Sequence, residues 1–152
     1  MRKILYLFIA VLSFSCSNNS SDSEEDIDYE TINEADIQSY ITENNLAPEK
    51  SETGLYYIIE NEGTSNSPSP NSNVTVNYKG YFLSGEVFDE RNEVDLDLTS
   101  VIPGFSEGVQ YLKEGGDITL IIPSKLAYGD RGQFTIPPGS VVIFEVALLS
   151  IN

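Results

Sequence analysis

The sequence predicts an α+β domain with a mostly antiparallel sheet, preceded by a helical extension and an N-terminal leader. Three observations carry that expectation. Short runs of β-branched and aromatic residues recur from residue 54 to residue 152, bounded by Gly, Pro, Asn and Ser, as strands separated by turns should be. Two other segments, around residues 31–46 and 103–112, repeat their apolar residues at helical spacing instead. A hydrophobic fraction of 40%, with seven Phe and nine Tyr, is too high for a disordered chain.

The first element is an address. Arg2 and Lys3 precede the unbroken apolar run Ile4 to Leu12 (ILYLFIAVL), which is shorter than the roughly 20 residues a membrane-spanning helix needs. Residues 1–15 therefore read as a secretory signal peptide. Small residues, Ser13 and Ser15, lead into Cys16, the single cysteine of the chain. This arrangement resembles the lipobox of bacterial lipoproteins, whose cysteine is acylated and becomes the new N-terminus, although Ser13 stands where an aliphatic residue is usual. Plain secretion with a free thiol is the alternative. Residues 16–30, which include SNNSSDSEEDID, have almost nothing to bury and read as a lipidated acidic tether. The acidic run resembles export signals of some surface lipoproteins, with a simple spacer as the other reading. Residues 31–50 form the helical extension. Thr31 and Glu34 stand at capping-box spacing, Asn33 is a second N-cap candidate, Ile37, Tyr40 and Ile41 make a narrow apolar stripe, and Pro48 ends the helix.

Strands follow. Leu55 to Glu60 is the first, and a loop rich in Ser and Pro spans Gly63 to Asn73. Val74, Val76 and Tyr78 then alternate with Thr75, Asn77 and Lys79, the period of a half-buried strand. Gly80 and Gly85 punctuate the next piece, which ends at Val87, Phe88 and Asp89 before an acidic stretch. After Val101-Ile102-Pro103-Gly104, the residues Phe105, Val109 and Leu112 lie at i, i+4, i+7 on one short helix, closed by Gly115 and Gly116. Asp117 to Pro123 is another strand. Val141 to Ile151 is apolar on both faces, as a central strand should be.

Composition removes whole classes of function. With 24 acidic and 8 basic side chains the net charge is -16, so a phosphate backbone would be repelled and no nucleic-acid partner is expected. The chain has no His, which excludes His-dependent triads, His-ligated metals and His proton shuttles. One Cys permits neither an internal disulfide nor a cysteine zinc cluster. Asp95 and Asp97 lack the spacing of a calcium loop and read as a solvated edge, so no metal and no cofactor is expected.

Three blocks carry a more specific signal: VTVNYKGYFLSGEVFDE (Val74 to Glu90), VIPGFSEGVQYLKEGG (Val101 to Gly116) and LIIPSKLAYGDRGQFTIPPGSVVIFEVALLSI (Leu120 to Ile151). In order and with few gaps, they resemble the FKBP family of peptidyl-prolyl cis-trans isomerases over residues 54–152. The resemblance implies a curved antiparallel sheet, a half-barrel, wrapped around one short α-helix, with the pocket between them. It assigns catalytic positions to Asp89, Tyr128 and Phe88: a carboxylate, a phenol that bonds the bound carbonyl, and an aromatic beside the proline ring. Substrate-binding positions fall on Tyr78, on Val101 and Ile102 at the rim, and on Phe105, Ile136 and Phe144. Phe105 departs from the family, where a Trp is usual at the pocket floor. Val94 or Leu96 would supply a wall usually given by Phe, and Arg91 has no assigned role.

Such chemistry suits these residues. Rotating a peptide bond faces a barrier of about 18–20 kcal/mol but breaks no covalent bond, so neither nucleophile nor metal is required. A dry aromatic pocket with a few fixed donors can favour the twisted, less polar imide. The expected function is therefore isomerisation of X–Pro bonds in secreted or envelope proteins by an extracytoplasmic protein lipid-anchored to a bacterial envelope, with the outer membrane, on its periplasmic or surface side, as the expected place. Expected partners are proline-containing polypeptides, macrolide inhibitors, and a membrane through the lipid on Cys16. The alternative is a proline-peptide-binding chaperone or scaffold module with little turnover.

Overall fold

The computed structural model describes residues 27–152. The expected signal peptide, Cys16 and most of the acidic tether lie outside those residues.

The elements run α1 (Tyr29–Glu43), β1 (Glu49–Lys50), β2 (Tyr56–Asn61), β3 (Asn73–Phe82), β4 (Val87–Asp97), α2 (Pro103–Val109), β5 (Asp117–Ile122), a 3-10 turn (Ser124–Leu126) and β6 (Val142–Ile151). All six strands form one curved antiparallel sheet in the order β1-β2-β5-β6-β3-β4. The α+β expectation is met, with β6 in the interior of the sheet. Alternation decides what each face covers. Val74, Val76, Leu120, Ile122, Val142, Phe144 and Leu148 point toward α2 and form the larger core with Phe105 and Val109. Tyr56, Ile121 and Ile143 point the other way and are covered by Ile37 of α1. β6 is therefore buried on both faces only at its start, where Ile37 of α1 covers Ile143; farther along, the second face is open, with Glu145 and Leu149 exposed.

Helix α1 starts earlier than the sequence suggested. Asp28, not Thr31, is the N-cap: one carboxylate oxygen accepts the Thr31 N–H at 3.1 Å and the other its hydroxyl at 2.6 Å. Asn33 is not a cap either. It lies four residues before Ile37 on the docking face and is 2% exposed. The helix also stops before Pro48, because Asn45 takes a left-handed φ of 53° and the Leu46 N–H bonds back to the Ile41 carbonyl at 3.0 Å.

Three further boundaries moved. β3 runs through Gly80, read as a breaker, because the strand there passes beneath aromatic rings. β4 continues through the acidic stretch to Asp97 as an edge strand, with Val94 and Leu96 turned toward the core and its carboxylates toward water. Helix α2 is only Pro103–Val109; Leu112 is buried in the turn that follows. Its Gly104 and Gly108 lie against β5, where an added Cβ would come within 2.4 Å of Ile122 and 2.3 Å of Leu120. That close approach seats Phe105 at the bottom of the concave face.

Candidate active site

A cavity of about 210 Å³ opens between the sheet and α2, lined by Tyr78, Asp89, Leu96, Ser100, Val101, Ile102, Phe105, Tyr128, Gln133 and Phe144. Seven of the nine positions expected at the site line it directly. The other two stand behind its wall: Phe88 packs edge-to-face on Phe144 at 5.6 Å, and Ile136 is buried in the adjoining core.

The walls arise from strand register. In β3 the residues Val76, Tyr78 and Gly80 fall on the concave face, and Tyr78 and Gly80 pair with Val146 and Phe144 of β6. On the other side they pair with Arg91 and Asp89 of β4. One ring from each of three elements then meets at the cavity. Phe105 lies edge-on to Tyr78 at 6.0 Å and to Phe144 at 5.4 Å. Such edge-to-face contacts contribute about 0.5–1.5 kcal/mol each beyond area burial, and they fix ring orientation. Gly80 was missed as a site residue, yet an added Cβ would stand 2.8 Å from both Phe144 and Phe88. A glycine flanked by alternating apolar residues was the available signal.

The Asp89 carboxylate is held from two sides. Tyr78 donates its hydroxyl to one oxygen at 2.6 Å, and Arg91 reaches the other at 2.7 Å. Arg91, given no role from sequence, therefore orients the one carboxylate that lines the cavity. Burial first, then the bond to Asp89, pushes the Tyr78 phenol up to about 12. Burial and the Asp89 charge also raise Tyr128 above its ordinary value. Both phenols stay protonated near neutral pH. Tyr78 spends its proton on Asp89, whereas the Tyr128 hydroxyl has no acceptor among the described residues.

Val101 and Ile102 form the rim ahead of α2. Ile102 is the N-cap, and its carbonyl accepts from Phe105 and Ser106 at 3.1 Å each. Its own N–H has no acceptor among the described residues. Leu96 supplies the apolar wall for which Val94 was the other candidate, while Ser100 and Gln133 were not foreseen. The site is a small aromatic cleft with two unused donors and one oriented carboxylate. It can grip an apolar ring beside a carbonyl group.

Comparison with known proteins identifies the family. Residues 64–149 match the FKBP-type peptidyl-prolyl cis-trans isomerase family, and the chain belongs to it. FKBP-type peptidyl-prolyl cis-trans isomerase FkpA of Escherichia coli K12 is 42% identical over 106 residues, which are 67% of this chain and 39% of the relative. A probable FkpA of Neisseria meningitidis serogroup B is also 42% identical, over 66% of this chain and 39% of its own. The crystal structure of FkpA from Escherichia coli superposes with a TM-score of 0.74 at 37% identity, covering 80% of this chain and 60% of that one. A peptidyl-prolyl cis-trans isomerase structure from Pseudomonas syringae pv. tomato gives 0.71 at 27% identity, covering 81% and 95%. The chain thus spans about two fifths of the length of the FkpA relatives it matches.

Proposed function

We propose that this chain catalyses cis–trans isomerisation of X–Pro bonds in polypeptides outside the cytoplasm, using the cavity between the sheet and α2. One observation carries the reading: aromatic walls share a single cavity with two donors, the Tyr128 hydroxyl and the Ile102 N–H, that lack acceptors among the described residues. A proline ring would enter between Phe105, Phe144 and Tyr78. The Ile102 N–H would hold one backbone carbonyl, and Tyr128 the carbonyl of the rotating bond. In a pocket with little water, the planar and more polar amide loses solvation while the twisted imide fits, which lowers the barrier to rotation. Asp89, fixed by Tyr78 and Arg91, sets the local field. Phe88 and Ile136 act from behind by holding Phe144 and the loop in place. Macrolide ligands that present a proline-like ring would compete for the same space.

The leader and Cys16 support placement of the protein on a bacterial envelope, with residues 1–15 removed and a lipid on Cys16. Residues 16–30 would then hold the domain away from the bilayer, on the periplasmic or surface side of the outer membrane. No helix among the described residues is long and apolar enough to cross a membrane.

A second reading, a proline-binding module with little turnover, is favoured by Phe105, which offers a smaller floor than the family's usual Trp. One experiment separates the two. Isomerisation of a short X–Pro peptide is followed by exchange spectroscopy with wild type, Asp89→Ala and Tyr128→Phe, each checked for folding. Acceleration by wild type that falls at least ten-fold in the folded variants supports the enzyme. Binding of the peptide without acceleration supports the module instead. Mass spectrometry of the membrane-extracted protein, against a Cys16→Ala variant, tests the anchor.

A further inference from the structure

The loop that carries Tyr128 is closed by a residue from outside the family-matched segment. Asn33 of α1 accepts the Ser124 N–H at 2.7 Å through its side-chain oxygen and donates to the Gly139 carbonyl at 2.8 Å through its amide nitrogen. The Ser124 carbonyl in turn accepts from Gly129 at 2.8 Å, and the Gly129 carbonyl from the Gly139 N–H at 3.0 Å. These bonds form a closed circuit, Asn33 to Ser124 to Gly129 to Gly139 and back to Asn33, and Tyr128 is the residue immediately before Gly129. Asn33 and Ser124 are each 2% exposed, so an unmade bond could not be replaced by water without opening the site. The ring of Tyr29 lies against Gly139, where an added Cβ would come within 2.0 Å of it.

From this circuit we infer that Asn33 is a positioning residue for the reaction: docked helix α1 clamps both ends of the Tyr128 loop and sets where the phenol points. The inference rests on the proposed role of Tyr128. Helix α1 also joins the domain to the preceding N-terminal segment, so helix docking and the site are physically one unit. The alternative is that Asn33 merely holds the helix on the sheet, as Ile37 does.

Four variants of the full chain are compared with wild type for kcat and KM on an X–Pro peptide: Asn33→Ala, Ile37→Ala, Tyr128→Phe and the Asn33→Ala/Tyr128→Phe double. A phenol displaced by a fraction of an ångström should cost about ten-fold in kcat with KM within two-fold. Asn33→Ala shows that loss while folded Ile37→Ala keeps wild-type kcat. In the Tyr128→Phe background, Asn33→Ala adds no further loss. An equal loss in both backgrounds, equal losses in Asn33→Ala and Ile37→Ala, or wild-type turnover of Asn33→Ala would overturn the inference while leaving the proposed activity standing. Full activity of Tyr128→Phe would overturn the site reading and the clamp together. If Asn33→Ala fails to fold, Asn33→Ser replaces it: a neutral hydroxyl too short to span both partners breaks the circuit without burying a charge, and it should lose kcat in the wild-type background but not in Tyr128→Phe, whereas wild-type kcat would overturn the inference.

Discussion

Replacing Gly80 by Ala tests whether the aromatic walls are packed as tightly as the geometry requires. The new methyl would lie 2.8 Å from Phe144 Cε1 and from Phe88 Cε2 and Cζ, with a ring on each side. Carbon atoms sit comfortably at about 3.5–4.0 Å, so each ring, or the strand between them, must give by roughly 0.7 Å or more. Neither ring can retreat freely, because Phe88 rests on Phe82 at 5.0 Å and Phe144 on Phe105 at 5.4 Å. Overpacking of this kind costs about 1–3 kcal/mol, and removing a strand glycine offsets about 0.5–1 kcal/mol of that. The net loss is about 0.5–2 kcal/mol, which lowers the melting temperature by about 2–8 °C for a domain of this size. Because Phe144 lines the cavity, the same shift should lower kcat/KM on an X–Pro peptide by about ten-fold or more. Thermal unfolding and exchange spectroscopy on the same preparation measure both quantities. Wild-type melting together with wild-type turnover would refute the reasoning, since the rings would then have moved at no cost. Destabilisation with unchanged turnover would mean that the walls are tight but do not serve the reaction.

Gly139→Ala should destabilise by about 2–4 kcal/mol, since it combines a left-handed φ of 68° with a Cβ only 1.9 Å from the Tyr29 ring. In a Tyr29→Ala background the same substitution should cost only about 1–2 kcal/mol, and equal costs in urea titrations of both backgrounds would contradict the contact. Glu34 is held below its ordinary 4.5, first by the Tyr56 hydroxyl and then by Lys50. Its contribution to stability is therefore present above pH 4.5 and lost as pH falls through the lower folded value. The stability deficit of Tyr56→Phe should be full at neutral pH and shrink on acidification below 4.5, whereas a constant deficit would exclude this linkage. Tyr78 behaves oppositely: its folded value of about 12 exceeds the ordinary 10.0, so its contribution is complete below pH 10 and is lost as pH rises through 12. Tyr78→Phe should flatten the fall in denaturant midpoint across that alkaline range, and identical slopes would count against a buried, Asp89-bonded phenol.

Where burial followed local pattern, the fold was legible. Val74, Val76 and Tyr78 alternate because one face of β3 is core, and the run Val141 to Phe144 lacks alternation because α1 covers Val141 and Ile143 while Val142 and Phe144 face α2; from Glu145 onward β6 alternates, which its apolar Ala147 and Leu149 concealed. Most of the cavity could be placed because its residues sit in three contiguous sequence blocks. The rest depended on contacts between distant segments. β4 was obscured beyond Asp89 because an edge strand needs only Val94 and Leu96 turned inward, and its other residues look like a loop. Asn33 resembled a cap because its partners, Ser124 and Gly139, lie 91 and 106 positions away. Arg91 gave no signal until register placed it opposite Tyr78, beside the carboxylate it holds.

The sheet has two open edges, and they are unequal. On one side β1 is two residues long, too short to recruit another strand. On the other, β4 extends for eleven residues and carries Asp89 into the cavity. A polypeptide bound as proposed would therefore meet, along the outer edge of β4, a row of backbone donors and acceptors open to a seventh strand. Exposed Glu90, Glu93, Asp95 and Asp97 oppose that zipping, and Glu93 with its left-handed φ of 49° breaks the line. On the proposed function, a visiting chain would be gripped at one proline and still leave, because its flanks would find charge and a kink where a flat template would have captured them.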